Sequence, residues 1–140
     1  MPRKKSPYKD KGAAPTVTAS MPTKPVSLPD DVSACWDELE AALQGSGLLA
    51  PGDGLLLRLA AETMAQRNIA LREVTEKGGT VIGANGGPIR NPSQLTLEES
   101  TRVLARLLND LGLSPTGRLR LNVVTSKPMA ASKWAGILRA

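Results

Sequence analysis

The sequence predicts an all-α fold, a long helix hairpin onto which short additional helices pack. Apolar residues recur at spacings of four, three and four from Val32 to Leu43, the pattern of one buried helix face. A second helical stretch of about 24 residues runs from Asp53 to Gly78-Gly79, and a leucine-rich stretch ends at Gly112. Neither an internal repeat nor a sustained heptad is visible, so an extended coiled coil is not expected.

Composition divides the chain into three segments. Its 140 residues fit one domain with tails. Residues 1–27 hold five prolines and several lysines but little that can fill a core, so we expect a disordered basic arm. Residues 28–122 form the predicted helical core and oligomerisation domain. Residues 123–140 form a basic C-terminal tail.

The first helix is predicted to begin in the run Leu28-Pro29-Asp30-Asp31. Ser27 or Asp30 can serve as its N-cap. Trp36 lies on its apolar stripe with Leu39. A tryptophan can be a stacking platform for bases, but a position on the stripe favours packing in the core.

Two short β-prone segments, Thr80-Val81-Ile82 and Pro88-Ile89-Arg90, flank a glycine-rich stretch that contains Asn85-Gly86. They predict a small β-hairpin or an ordered loop. The glycines also raise the possibility of a phosphate-binding loop. That stretch lacks the Gly-Lys-Ser/Thr ending and leads into a proline rather than a helix, so we favour the turn.

The third helix is predicted to open at Thr96, with Glu99 at the capping-box spacing, and Ser114-Pro115 is predicted to cap a short fourth helix. The helices hold more leucine than one small bundle requires, which favours self-association. The candidate subunit or partner contacts are Leu104, Leu107, Leu108, Leu111 and Trp134.

Composition excludes several classes of site. The chain has no His and one Cys, so it can assemble neither a Cys/His zinc site nor Ser–His or Cys–His catalysis, and it cannot form an internal disulfide. The dense acids of the first helix suggest a divalent metal site, but their positions suit a helix N-terminus and a solvated face better. We predict no catalytic residue, no cofactor and no metal.

Hydropathy indicates no membrane partner. The longest apolar run is far shorter than the roughly 18 residues that span a bilayer. The N-terminal lysines are not followed by an apolar stretch of the signal-peptide kind. We therefore expect a soluble intracellular protein.

Charge is concentrated at the two ends of the chain. Residues 1–24 carry six basic residues and one acidic residue, and residues 118–140 carry five basic residues and no acidic one. Residues 25–117 carry seven basic and twelve acidic residues. Basic ends on an acidic body are typical of a protein that contacts a polyanion, although basic tails alone can serve solubility.

Several landmarks follow one another along the chain in a specific order. They are Pro29, Trp36, Leu39, Leu48-Leu49, Asp53, Asn91-Pro92 and Leu111-Gly112-Leu113-Ser114-Pro115-Thr116-Gly117-Arg118-Leu119. Their order resembles that of the small terminase subunits of tailed double-stranded DNA phages, over about residues 25–122. The similar branch carries a Leu-Gly-Leu-Thr-Pro-Ser-Ser-Arg motif near its C-terminus.

Three departures from the family pattern stand out. Ser114 replaces the usual Thr and preserves a hydroxyl cap. Thr116-Gly117 replaces Ser-Ser, and Gly117 is expected to weaken the fourth helix by roughly 0.5–1 kcal/mol. The segment from Ser93 to Thr96 is expected to postpone the start of the third helix.

The resemblance implies a non-enzymatic packaging factor in the cytoplasm of the bacterial host cell. It implies a homo-oligomeric ring that binds double-stranded viral DNA and recruits and regulates the large ATPase–nuclease subunit. A small monomeric or dimeric DNA-binding regulator is the alternative, and an interaction protein whose tails aid only solubility is a third hypothesis.

No helix-turn-helix with an obvious recognition helix is visible, so the DNA contacts are assigned to basic residues of the arm and the fourth helix. The candidates are Arg3, Lys4, Lys5, Lys9, Lys11, Arg118 and Arg120. Guanidinium groups beside helix N-terminal amides suit a phosphate. Alternatively, Arg118 folds back onto the third helix, where it pairs with Asp110 or caps the carboxyl end.

Overall fold

The computed structural model describes residues 18–121. Within them the chain is mostly helical, with one small two-stranded antiparallel sheet, as predicted. The elements are α1 (Asp30–Leu43), a 3₁₀ turn (Pro51–Asp53), α2 (Gly54–Lys77), β1 (Thr80–Ile82), β2 (Pro88–Arg90), α3 (Pro92–Asp110) and α4 (Pro115–Arg120). None of the helices in this part of the chain is both long and apolar enough to cross a membrane.

The core lies where α2 packs against both α1 and α3. The side chains of Trp36, Leu43 and Leu57 are completely or almost completely buried there. Trp36 Nε1 donates a hydrogen bond of 3.1 Å to Glu40 Oε2, one turn along the helix. Since that bond satisfies the polar atom of the indole while its ring packs in the core, Trp36 is a core residue, the interpretation that the sequence favoured.

The connection between α2 and α3 is a β-hairpin, as predicted. Val81 pairs with Ile89 across the antiparallel strands. The glycine-rich stretch forms the turn, in which the Gly83 N–H donates to the Gly87 carbonyl at 2.9 Å. Gly86 has a φ of 75°, a left-handed conformation that glycine adopts without strain. These glycines therefore shape a turn.

The start of α3 differs from the prediction. The helix begins at Pro92, four residues before Thr96, and Asn91 is its N-cap, with a side chain that accepts from the Ser93 N–H at 3.0 Å. Asparagine at the N-cap and proline at the first helical position are both favoured. Thr96 lies inside the helix, where its carbonyl accepts a hydrogen bond from the Ser100 hydroxyl. The expected late start is therefore wrong.

The start of α1 lacks the predicted side-chain cap. Pro29 occupies the N-cap position and makes no side-chain cap bond, so neither Ser27 nor Asp30 has that role. Asp30 and Asp31 lie in the first turn instead. Their negative charges interact favourably with the exposed amides at that end of the helix.

The described body begins before the predicted boundary at residue 28. The Ser20 N–H donates to the Leu49 carbonyl at 2.9 Å, and Met21 packs against the core. Lys24 forms an ion pair with Asp37 of α1. The packing of Met21 and the backbone hydrogen bond of Ser20 hold this part of the predicted arm against the core and the turn after α1. The first 17 residues of the arm lie outside the described residues.

The end of α3 is a Schellman motif. The Leu113 N–H donates to the Leu108 carbonyl at 2.9 Å, and the Gly112 N–H donates to the Asn109 carbonyl at 3.1 Å. Gly112 has a φ of 76°, the left-handed conformation that the motif requires at this position. Ser114 follows immediately as the N-cap of α4. The Leu-Gly-Leu-Ser-Pro run therefore joins two helices within a few residues.

Candidate nucleic-acid interface

Charge is distributed unevenly over the helices. α1 carries five carboxylates and no basic residue. α4 and the C-terminal half of α3 together carry four arginines and one carboxylate. A polyanion is therefore repelled by the outer face of α1 and attracted to the α3–α4 end.

Arg118 is half-buried and folds back onto the end of α3. Its Nη1 donates a hydrogen bond of 2.9 Å to the Leu113 carbonyl, just beyond the helix. The carbonyl end of a helix carries partial negative charge, which favours a guanidinium there. The partner is this backbone carbonyl rather than the Asp110 carboxylate. Arg118 thus holds the turn between α3 and α4.

The first amides of α4 are occupied by the helix's own cap. The Gly117 N–H donates to Ser114 Oγ at 2.8 Å, and the Arg118 N–H donates to the Ser114 carbonyl at 3.0 Å. The Ser114 hydroxyl in turn donates to Asn109 Oδ1 at 2.6 Å. The phosphate-contact hypothesis requires free amides at the start of α4. These two amides are instead bonded within the chain.

Glycine is required at position 117 for a structural reason that helix propensity does not indicate. A Cβ at this position would lie 2.3 Å from the Asn109 carbonyl oxygen and 3.0 Å from Ser114 Oγ. The first of these atoms belongs to the backbone and cannot rotate away. Glycine is therefore required for the close approach of α4 to α3, whatever it costs in helix propensity.

Arg120 is exposed and keeps its guanidinium available. It lies beside Asn109, Asp110 and Leu121 around a shallow pocket of about 110 Å³. Within residues 18–121 it forms no ion pair. Arg118 and Arg120 are two positions apart on one short helix, so they do not form a single patch.

The remaining basic candidates and one partner candidate lie outside the described residues. They are Arg3, Lys4, Lys5, Lys9, Lys11 and Trp134. Their assignment to DNA or partner contact stays a prediction.

Two arginines that the sequence analysis did not single out are exposed on α3. Arg102 and Arg106 are four residues apart, so they lie on the same side of the helix. This side is opposite the one that Leu104 and Leu107 bury in the core. Neither arginine forms an ion pair within the described part of the chain. Their position opposite Leu104 and Leu107 in the helical repeat was the sequence signal that would have identified these arginines.

The leucines proposed for subunit contact belong mostly to the core of the same chain. Leu107 and Leu111 belong to the core that α3 shares with α1 and α2, Leu108 is partly buried against that core, and Leu104 is also buried. Their side chains already have packing partners within one subunit. A contact between subunits therefore needs other apolar residues.

Such residues lie along the outer side of α2. Leu55, Leu59 and Ile69 have exposed fractions of 80%, 48% and 44%. Helical geometry places Leu55 and Leu59 on the side opposite Leu57, which is fully buried, and Ile69 nearer the edge of α2 that lies beside Ser93 and Thr96 of α3. Leu119 of α4 is also 76% exposed. These side chains are large and apolar, and their contact with water is unfavourable.

The described residues offer little to metal or covalent chemistry. No group of three metal-ligating side chains lies together within residues 18–121. Cys35 is buried, and its burial, assisted by the negative charges of Glu38 and Asp31, raises the pKa of the thiol. A raised pKa keeps the thiol neutral near pH 7, where only the thiolate is a nucleophile or metal ligand.

Comparison with known proteins gives one match. A family model described as the small subunit of phage terminase matches residues 33–128. That stretch includes α1 to α4 except for the first three residues of α1. Neither a curated protein nor a solved structure matches the chain.

Proposed function

Because the chain belongs to the phage terminase small-subunit family, and so acts in phage DNA packaging, we propose that it is the homo-oligomeric DNA-recognition factor of a packaging motor. In this proposal it binds double-stranded viral DNA and recruits and regulates the large ATPase–nuclease subunit. Small subunits of this family are generally non-catalytic and recognise DNA. Packaging takes place in the cytoplasm of the bacterial host, where we place the protein.

The observation that carries the oligomer is the exposed apolar side of α2. Leu55, Leu59 and Ile69 lie along more than half of this long helix, and Leu119 adds to the exposed apolar surface on α4. Glu62 and Gln66 separate Leu59 from Ile69 on this side, and burial of the apolar side chains between subunits is favourable. This surface replaces the buried leucines of α3 as the proposed subunit contact.

DNA binding rests on the basic ends of the chain. Residues 1–24 and 118–140 carry eleven basic residues and a single acidic one. Each exposed phosphate contact is weak, but an oligomer multiplies the contacts and binds through avidity. Arg120 remains a DNA candidate on α4. Arg118 contributes by holding the α3–α4 turn that presents it.

Trp134 is proposed for partner contact. Tryptophan is enriched among residues that dominate the energy of protein interfaces. A W134A variant is expected to bind DNA like the wild type and to stimulate the ATPase of the large subunit less. Equal stimulation by both proteins would exclude Trp134 from that contact.

The first test is the solution mass of the purified protein, by native mass spectrometry or light scattering. A single large oligomer is expected. A monomer or dimer at micromolar concentration would instead favour the small DNA-binding regulator.

The second test separates DNA binding from solubility. The variant R3A/K4A/K5A/K9A/K11A is expected to lose most of its retention of duplex DNA in a mobility-shift assay. The slope of binding against salt concentration should also become shallower, because fewer counterions are released. The matched control neutralises the paired exposed charges Arg58 and Glu62. Unchanged retention in the five-residue variant would favour tails that serve only solubility.

A further inference from the structure

One side of α1 faces away from the core and is acidic. Asp31 and Glu38 lie on this side, with the small exposed side chain of Ala34 between them. Neither carboxylate forms an ion pair within residues 18–121, whereas Asp37 does so with Lys24. This face attracts a basic partner and repels nucleic acid.

A groove of about 310 Å³ runs beside this acidic face, between α1 and α2. Asp31 and Glu38 line its α1 wall, and Asn68 and Arg72 line its α2 wall. The Asn68 amide nitrogen donates to Cys35 Sγ at 3.8 Å, so its carbonyl oxygen is the atom left to accept a hydrogen bond. Arg72 offsets one of the two carboxylates. The groove therefore has room, a net negative charge and an acceptor for a cationic side chain.

The matching surface is the middle of the outward side of α3, between Glu98, which pairs with Arg90, and Asp110. Arg102 and Arg106 are exposed there and have no ion-pair partner within residues 18–121. Four residues separate them by about 6 Å along the helix, and seven residues separate Asp31 from Glu38 by about 10 Å. Long arginine side chains can span this difference, and their planar guanidinium groups suit carboxylates.

We propose that a second copy of this chain docks the outward side of its α3 against α1, so that Arg102 and Arg106 enter the groove beside Asp31 and Glu38. The inference rests on the proposed function, since it assigns a contact between subunits of the homo-oligomer. Both surfaces lie on the sides of their helices that face away from the core of the subunit. One subunit therefore offers each surface to a different neighbour, which is a head-to-tail contact of the kind that closes into rings.

Charge sets the orientation of this contact. An exposed ion pair adds little affinity, but opposite charges select the orientation and like charges oppose every other one. Leu55 and Leu59 lie on another side of α2, so the affinity that they contribute to the oligomer belongs to a separate contact. The α1 acids thus specify which face of the neighbour is bound, and they keep phosphates away from that face.

Reversal of charge on each face tests the proposal. The variants D31K/E38K and R102E/R106E are each expected to reduce the wild-type oligomer about tenfold by native mass spectrometry. An equimolar mixture of the two should restore the oligomer, because each reversed face then meets an opposite charge. The chain with all four substitutions should assemble alone for the same reason. The matched control E76K/K77E, which exchanges two neighbouring exposed charges at the end of α2, should keep the wild-type mass.

The outcomes separate this inference from the proposed function. If either two-residue variant keeps the wild-type mass, or the mixture and the four-substitution chain both fail to assemble, the docking is wrong. If R102E/R106E assembles normally but loses DNA retention, these arginines face phosphates instead of a neighbour. A wild-type protein that is monomeric at every concentration would refute the homo-oligomer itself. Circular dichroism of each variant checks that its helices are retained.

Discussion

The two ends of α3 are held in opposite ways. At the C-terminal end, Gly112, Leu113 and Ser114 satisfy the last carbonyls and begin the next helix within a few residues. At the N-terminal end, Asn91 caps the helix and also reaches the end of α2, where its Nδ2 donates to the Gly78 carbonyl at 2.8 Å. One end is therefore a local motif, and the other is a junction between segments that are distant in sequence.

This difference explains which end is more sensitive to substitution. Asn91 is only 3% exposed, and its backbone N–H also donates to the Gly79 carbonyl at 3.0 Å. Loss of its side chain leaves polar groups of two helices without partners. At the α3–α4 end the side-chain bonds are shared among Asn109, Ser114 and Arg118, which are all more exposed than Asn91.

The largest effect is expected for N91A. The substitution removes the α3 cap and leaves the Gly78 carbonyl unsatisfied in a part-buried position, so the free energy of unfolding should fall by about 2–3 kcal/mol. Urea unfolding at one fixed protein concentration measures this, since subunit association contributes to apparent stability. N85A, at an exposed asparagine of the hairpin turn, is the control and should be neutral. Equal stability of N91A and the wild type would contradict the described cap.

The next effect is at the other end of α3. G117A places a Cβ against the Asn109 carbonyl oxygen, so α4 must move, and the free energy of unfolding should fall by about 1–3 kcal/mol. G52A is the matched control, because a Cβ at Gly52 has no neighbour within 4 Å. A more stable G117A would mean that helix propensity outweighs the contact between α3 and α4.

A smaller effect separates the two arginines of α4. R118A loses the bond to the Leu113 carbonyl and should lower the free energy of unfolding by about 1 kcal/mol. R120A should leave stability unchanged and weaken DNA retention, which a mobility-shift assay measures. A stable R118A that loses DNA as strongly as R120A would return Arg118 to the phosphate contacts.

The smallest effect is a pH dependence near the start of α3. The hydrogen bond from Arg90 lowers the pKa of Glu98, so the folded state favours the carboxylate. The resulting stability is present above the usual glutamate pKa and is lost as pH falls through the lowered value. The stability difference between wild type and E98Q should therefore shrink between pH 7 and pH 3. E99Q is the control, since Glu99 has no ion pair within residues 18–121.

Sequence reasoning identified what depends on short-range patterns. The stripe of α1, the glycine-bounded length of α2, the hairpin and the Ser114 cap all depend on neighbouring residues. The start of α3 was missed because two cap signals, Asn91 and Thr96, compete five residues apart, and only the bonds of Asn91 to Gly78 and Gly79 decide between them. The contacts of Ser20 and Met21 with the body were missed because residues 1–27 look uniformly polar and proline-rich.

The candidate sites were harder to predict because burial is a tertiary property. Leu104 and Leu107 are as apolar as any interface residue, yet the core already contains them. The sequence left Arg118 with phosphate, Asp110 or the carboxyl end of the third helix as partner, and the structure brings it to the Leu113 carbonyl just beyond that end. Arg102 and Arg106 were passed over because acidic residues precede them, and Glu98 lies one turn before Arg102 on the same side of the helix.

The hydrogen bond from the Asn91 N–H to the Gly79 carbonyl has a consequence for engineering. It brings the chain back to within 3.0 Å of the point at which it left the helix pair, so residues 80–90 form a closed excursion. The entropic cost of closing a loop grows only slowly with its length, so a longer insertion at this place is tolerated. A peptide tag or a small domain can therefore replace the tip of the hairpin without a change in the spacing of α2 and α3.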